Sequence, residues 1–176
     1  MESVWLMHKG CACALNAQPS EAVRMLTDGF AMAQFAGATL WMPFSRSHLA
    51  RAYIELGNFE GAWRSIREAM TMIERTTEAW CEAEVYRTAG EIMLLAPERD
   101  ASKAEAYFNR AITVAGAQQA KSWELSTAMS MARLWRDQGK PRQARELLAP
   151  IYGWFTEGFD TRDLKEAKAL LDTLPA

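Results

Sequence analysis

The chain has little of what most active sites are built from. Its 176 residues include two histidines and three cysteines. There is no G-x-x-x-x-G-K-[ST], G-x-G-x-x-G, H-E-x-x-H or paired C-x-x-C, so phosphate-loop, dinucleotide and metalloprotease chemistry have no motif to stand on. The sequence therefore predicts a chain that is not an enzyme and carries no cofactor and no metal. Cys11, Cys13 and Cys81 are an odd, sparse set, which excludes a disulfide framework. On a helix Cys11 and Cys13 would point about 200° apart and could not share an ion, so they read as small buried thiols. Charge of one sign is never concentrated: 20 Lys and Arg face 22 Asp and Glu, a net charge of −2 without any run. A nucleic-acid surface needs a basic stripe, and none is present. Every apolar stretch is interrupted well before the roughly 18 residues of a membrane span. Met1 to Ala17 lacks the basic, apolar and small-residue order of a signal peptide, which predicts a cytoplasmic protein. Proline is scarce, at six residues, and strict polar–apolar alternation is missing, which excludes strands and leaves an all-helical chain.

What the sequence does contain is a repeat. Ala50, Tyr53, Gly57, Phe59, Ala62, Ile66 and Ala69 return as Ala132, Trp135, Gly139, Pro141, Ala144, Leu148 and Ile151, each pair separated by 82 residues. Two copies with the same internal spacing and unrelated surface residues predict a helix, a tight turn and a second helix used repeatedly. The 49% hydrophobic content is ample for a continuous core.

Punctuation divides the chain into pairs. The first spans about 3–37, turning at Gln18-Pro19-Ser20 and ending near Gly37. The second spans 41–76, opening at Trp41-Met42-Pro43 and turning at Gly57-Asn58, a pair suited to a left-handed helix end. The third spans 78–118, starting near Thr77 or Glu78, with the longest turn at Ala96 to Asp100. The fourth spans 121–152 and breaks at Gly139-Lys140-Pro141. Residues 153–174 end in a helix from Arg162 to Thr173 that reads as a cap over an open apolar end.

The register is consistent across all four pairs. Gly10, Ala50, Gly90 and Ala132 are spaced by 40, 40 and 42; Ala22, Ala62, Ala104 and Ala144, like Leu26, Ile66, Phe108 and Leu148, by 40, 42 and 40. The extra two residues fall where the third turn is longest, and an insertion in a turn leaves helix packing intact. Small residues let the helices of a pair approach, and the large ones fill the space between pairs. The prediction is a right-handed α-solenoid of four helix pairs with a C-terminal capping helix, as one repeat domain.

This order of small, aromatic, Gly, Ala and large residues resembles the tetratricopeptide repeat, in an extended form that lacks the late proline. Trp80 to Leu95, Ala104 to Ala115 and Gln119 to Ala149, then YGWFTEGFDTRDLKEAKALLDTL, resemble the C-terminal repeat region of bacterial multidomain proteins in which a class III adenylate or guanylate cyclase domain precedes an ATPase. Only the non-catalytic end is matched, so neither activity transfers. In tetratricopeptide solenoids the first helix of each pair lines a concave groove. That resemblance assigns Phe44, Ser47, Arg51 and Ile54 to the groove in the second pair. It assigns Glu84, Arg87, Glu91 and Leu94 in the third, and Ser126, Met129, Arg133 and Arg136 in the fourth. Glu84, Arg87 and Glu91 share one helical face, either as a solvated charged face or as part of a polar clamp in which the arginines hold a carboxylate or phosphate.

The remaining conspicuous residues have plain explanations. His8 and His48 lie 40 apart at one repeat position, without further ligands for a metal. Trp41, Trp80 and Trp123 recur near helix starts and read as packing between repeats, or less simply as anchors at an interface rim. Met25, Met32, Met70, Met72, Met129 and Met131 read as gap fillers.

The implied function is a regulatory interaction module of a larger cyclase–ATPase protein, binding a protein, a peptide or a sister domain. Two rivals differ in kind. A small-molecule sensor, as in maltose-regulator-like ATPases, predicts a closed, partly apolar pocket between first helices. An assembly domain predicts a large apolar patch and a homodimer. Met1 reads as an internal start, with Val4, Trp5, Leu6 and Met7 exposed where a longer solenoid would continue.

Overall fold

A computed structural model describes residues 2–35, 37, 40–76 and 78–175. Within them nine helices follow in order and no strand occurs: α1 (Glu2–Leu15), α2 (Pro19–Phe35), α3 (Met42–Glu55), α4 (Phe59–Thr76), α5 (Glu82–Leu95), α6 (Ala101–Ala117), α7 (Lys121–Asp137), α8 (Pro141–Gly153) and α9 (Arg162–Thr173). The helices begin and end where the local chemistry requires. Pro19, Pro43 and Pro141 sit in first turns, where a missing N–H removes no helical bond. Gly57 and Gly139 take φ of +72° and +76° at the ends of α3 and α7, the left-handed step that lets the chain turn back. The longer third turn is closed by the Asp100 carboxylate, which accepts from the Lys103 amide at 2.9 Å.

Each odd-numbered helix packs most closely on the even-numbered helix that follows it, up to α8. The odd helices also meet one another in series, α1 with α3, α5 and α7 in turn and finally α9, whereas among the described residues no even helix meets another. One closed layer backed by one splayed layer bends, placing the odd helices on the inside of the curve. The result is an α-solenoid of four pairs, ended by α9.

The repeat positions carry the packing. Ala22, Ala62, Ala104 and Ala144 are fully buried, as are Leu26, Ile66, Phe108 and Leu148. A Cβ on Gly90 would lie 2.5 Å from Phe108 Cε1, so the pair with the largest filler has no room for any side chain opposite it. At the far end Leu164, Ala167, Leu170 and Leu171 of α9 cover Leu125, Ala128 and Leu148, the apolar end that the cap was expected to close.

Several details differ from expectation. The third pair begins at Glu82, because Ala79–Cys81 form a turn in which the Glu82 amide bonds to the Ala79 carbonyl; Thr77 lies outside the described residues. Of Val4, Trp5, Leu6 and Met7, Met7 is buried at 1% exposure and Trp5, at 58%, is the one that stands well out of α1. Met32 is exposed and fills no gap, whereas Met25, Met129 and Met131 are buried. All three cysteines are buried and free.

Candidate functional site

Helices α3, α5 and α7 each present one face to a groove of about 460 Å³ on the inner curve, and α9 closes its end. The 40- and 42-residue steps align three positions per helix: Phe44, Glu84 and Ser126 at the first, Ser47, Arg87 and Met129 at the second, and Arg51, Glu91 and Arg133 at the third. The first and third positions line the groove. The second is a seam between helices, where Ser47, Arg87 and Met129 are 0%, 7% and 4% exposed, although Arg87 and Met129 also touch the groove. Ser47 is short and ends inside that seam, its hydroxyl donating to the Phe44 carbonyl at 2.7 Å, so it does not reach the groove. Arg87 is long enough to emerge. Ile54, Leu94 and Arg136, one turn further on, fall outside the groove wall, and Arg136 pairs instead with Asp137 at 2.9 Å.

The floor of the groove is a connected ion network. Arg87 donates from Nε and Nη2 to the two carboxylate oxygens of Glu84 at 2.8 and 2.6 Å, a bidentate pair, and from Nη1 to Glu91. The Ser130 hydroxyl donates to Glu91 at 3.2 Å, carrying the network from α5 to α7. Burial works against the charge on both partners. The attraction of Arg87 nevertheless lowers the pKa of Glu84, and Glu84 and Glu91 raise that of Arg87, so both stay ionised. Arg87 is thus committed to its own helix, and through Glu91 and Ser130 the network ties α5 to α7.

Arg51 differs. Its nearest carboxylate is Glu84 at 3.9 Å, whose oxygens already accept from Arg87, and its side chain is 33% exposed. Beside it His48 is 4% exposed and neither ring nitrogen has a hydrogen-bond partner. Desolvation, reinforced by Arg51 and Arg87 against the pull of Glu84, lowers the pKa of His48 to about 4, which keeps the ring neutral. Opposite, Arg133 donates to Glu166 of α9 at 3.2 Å, and Arg162 donates to the other oxygen of the same carboxylate at 2.8 Å. Arg162, Asp163 and Glu166 were not foreseen as groove residues, since nothing in a repeat register connects them to helices 30 or more residues earlier.

An aromatic series runs across the helix starts. Trp41 meets Trp80 edge-on at 4.9 Å, Trp80 stacks on Trp123 at 5.9 Å, and His8 stands edge-on to Trp41 at 5.4 Å. The three tryptophan rings are half-buried and join successive pairs, the packing role expected for them, while His8 is exposed; Trp123 with Phe44 also reaches the groove wall. Among the described residues no group of three or more His, Cys, Asp or Glu could hold a metal ion, and no helix is long and apolar enough to cross a membrane.

Fold and groove together define a helical-repeat scaffold. Residues 45–78 match one family model of the tetratricopeptide repeat, and residues 125–150 match another. Tetratricopeptide repeats serve, as a class, as protein-interaction scaffolds. Among solved structures, the "putative kinesin light chain nearly identical TPR-like repeats" of Podosopora anserina are similar, at 17% identity and a TM-score of 0.66, over 97% of this chain and 85% of that one. A point variant of the same repeats aligns at 17% identity and a TM-score of 0.67, over 94% and 81%. That likeness is one of fold. A comparison with curated proteins finds none that matches.

Proposed function

We propose that the chain is a non-catalytic interaction module whose concave groove receives a segment of a partner protein or of a sister domain, with Arg51 as the anchor for a carboxylate on that segment. The observation that supports this is the contrast between two arginines in one groove: Arg87 has its donors committed to Glu84 and Glu91, whereas Arg51 makes no hydrogen bond with any described residue and lines the groove partly exposed. A partly exposed guanidinium beside a buried neutral imidazole offers planar donors that an incoming carboxylate satisfies without breaking the fold. Selection of random peptides on the wild-type chain should enrich Asp and Glu. Their amide-shift footprint should fall on α3, α5 and α7, and Arg51→Gln should weaken them by about ten-fold, as loss of a charge-assisted bond implies. A footprint on the even helices, or unchanged binding by Arg51→Gln, rules the groove out.

We further propose that the module is the terminal part of a cyclase–ATPase signalling protein and that groove occupancy biases the neighbouring domains between states. The resemblance from Trp80 onward supports this parentage. An upstream reading frame encoding neither a cyclase nor a phosphate-loop ATPase would dismiss it. A role in assembly through a second copy is supported by Trp5 and Phe35 on the first pair, 58% and 97% exposed. A monomer in sedimentation at high concentration would end it.

A further inference from the structure

The third pair carries two more residues in its turn than its neighbours, and a cavity lies beside them. Between the end of α5, the start of α6 and the second half of α7 is a chamber of about 410 Å³, within the roughly 300–1,000 Å³ typical of small-ligand sites. Leu94, Leu95 and Ala101 give it an apolar surface, with Phe108 and Leu134 buried behind them, and Arg99 and Arg133 line it as well. Leu95 is the informative residue. It is 57% exposed, as is Leu15 at 51% in the same repeat position of α1, while that position holds Glu55 in α3 and Asp137 in α7. A leucine in water, where the second and fourth pairs place a carboxylate, leaves apolar area that none of the described residues covers.

The charges in the chamber do not cancel. Its two carboxylates are engaged elsewhere: Glu91 accepts from Arg87 and Ser130, and Asp137 pairs with Arg136 at 2.9 Å. Arg99 makes no ion pair or hydrogen bond with any described residue. Arg133 has a single 3.2 Å bond, to a Glu166 carboxylate that it shares with Arg162. What remains unmatched is positive charge above an apolar floor.

We propose that this chamber binds a small amphipathic carboxylate, its head on Arg99 and Arg133 and its apolar body on Leu94, Leu95 and Ala101. Arg133 lines both the chamber and the groove, so the bound head competes with Glu166 for it and alters the groove wall. The proposal does not rest on the partner groove being occupied, although the two sites share Glu91, Ser130 and Arg133.

The test is titration of the intact chain with octanoate, octan-1-ol and octylammonium, followed by calorimetry and by methyl shifts of the leucines. Octanoate should bind at one site about ten-fold more tightly than octan-1-ol, and octylammonium should not saturate, because only the anion gains charge-assisted bonds. Arg99→Gln should remove most of that preference while leaving octan-1-ol unchanged. Leu95→Glu places in α5 the kind of residue that α3 and α7 carry at this position; it should abolish binding of both probes without lowering the melting temperature. Arg51→Gln, which tests the groove, should leave octanoate binding intact. Absence of saturable octanoate binding, equal affinity for octan-1-ol, an Arg99→Gln variant that binds like wild type, or shifts confined to leucines outside the chamber would each overturn the assignment.

Discussion

Gly90 and Phe108 show how closely size is matched at a single repeat position. The other pairs use Gly with Leu26, Ala with Ile66 and Ala with Leu148, and the largest ring is met by the smallest residue. Gly90→Ala should therefore lower stability by about 1–3 kcal/mol in urea unfolding. Adding Phe108→Leu should recover much of that loss by recreating the Ala132 and Leu148 combination. His48 makes a prediction of another kind. Its folded pKa, about 4, lies below the ordinary 6.5, so the unfolded chain takes up a proton that the folded chain refuses. Its contribution to stability is full above pH 6.5 and is lost as the pH falls from about 6.5 to about 4. The loss is of order 3 kcal/mol from a shift of about 2.5 units at 1.36 kcal/mol each. His48→Leu should flatten the stability profile across that window; a profile as steep as wild type would assign the acid sensitivity to other groups. The seam at Ser47, Arg87 and Met129 was not legible in the residue types, which run from polar to charged to apolar at one structurally constant place. Register identified their equivalence but not their burial, because burial depends on where the neighbouring helix lies.

Among the elements, the helix ends were the most legible feature, since Pro and Gly act locally. Two ends lack that signal. Ala17 and Gln119 adopt φ of +53° and +55° after α1 and α6, in the step that Gly57 and Gly139 take elsewhere. The closing bonds are the same: Gln18 to the Cys13 carbonyl and Ala120 to the Ala115 carbonyl, alongside Asn58 to Tyr53 and Lys140 to Trp135. A side chain in this region is strained by about 1–2 kcal/mol. Ala17→Gly and Gln119→Gly should each raise stability by up to about 1 kcal/mol, measured by thermal unfolding, with the greater flexibility of unfolded glycine offsetting part of the gain. The start of α5 was misplaced because Ala79–Cys81 carry no breaker; tertiary packing of Trp80 against Trp41, Phe44 and Trp123 holds that turn. The third turn was read as neutral, and its two extra residues adjoin the chamber, a consequence visible only once α7 stands opposite.

At the scale of the whole molecule, α9 is both lid and wall. Its Leu164, Leu170 and Leu171 cover the last pair, while Glu166 ties Arg133 from the groove side. Arg145 of α8 donates to the Leu171 and Leu174 carbonyls at 3.0 and 3.2 Å, securing the far end of the same helix. Burying each leucine is worth roughly 1.5–3 kcal/mol, so their sum rivals the whole stability of a small domain. Truncation before Arg162 should yield a protein that binds a hydrophobic dye and unfolds without a cooperative transition; a cooperative monomer would show that the fourth pair closes itself. The curvature has a mechanical meaning as well. Among the described residues successive pairs meet through odd helices and through each even helix on the next odd one, never through two even helices, so the outer helices can spread or draw together by tilting on the odd helix between them. The chain is built like a leaf spring fixed along its inner surface. Its softest deformation is a change of bend, which narrows or widens the groove while leaving its length and the order of its charges nearly constant.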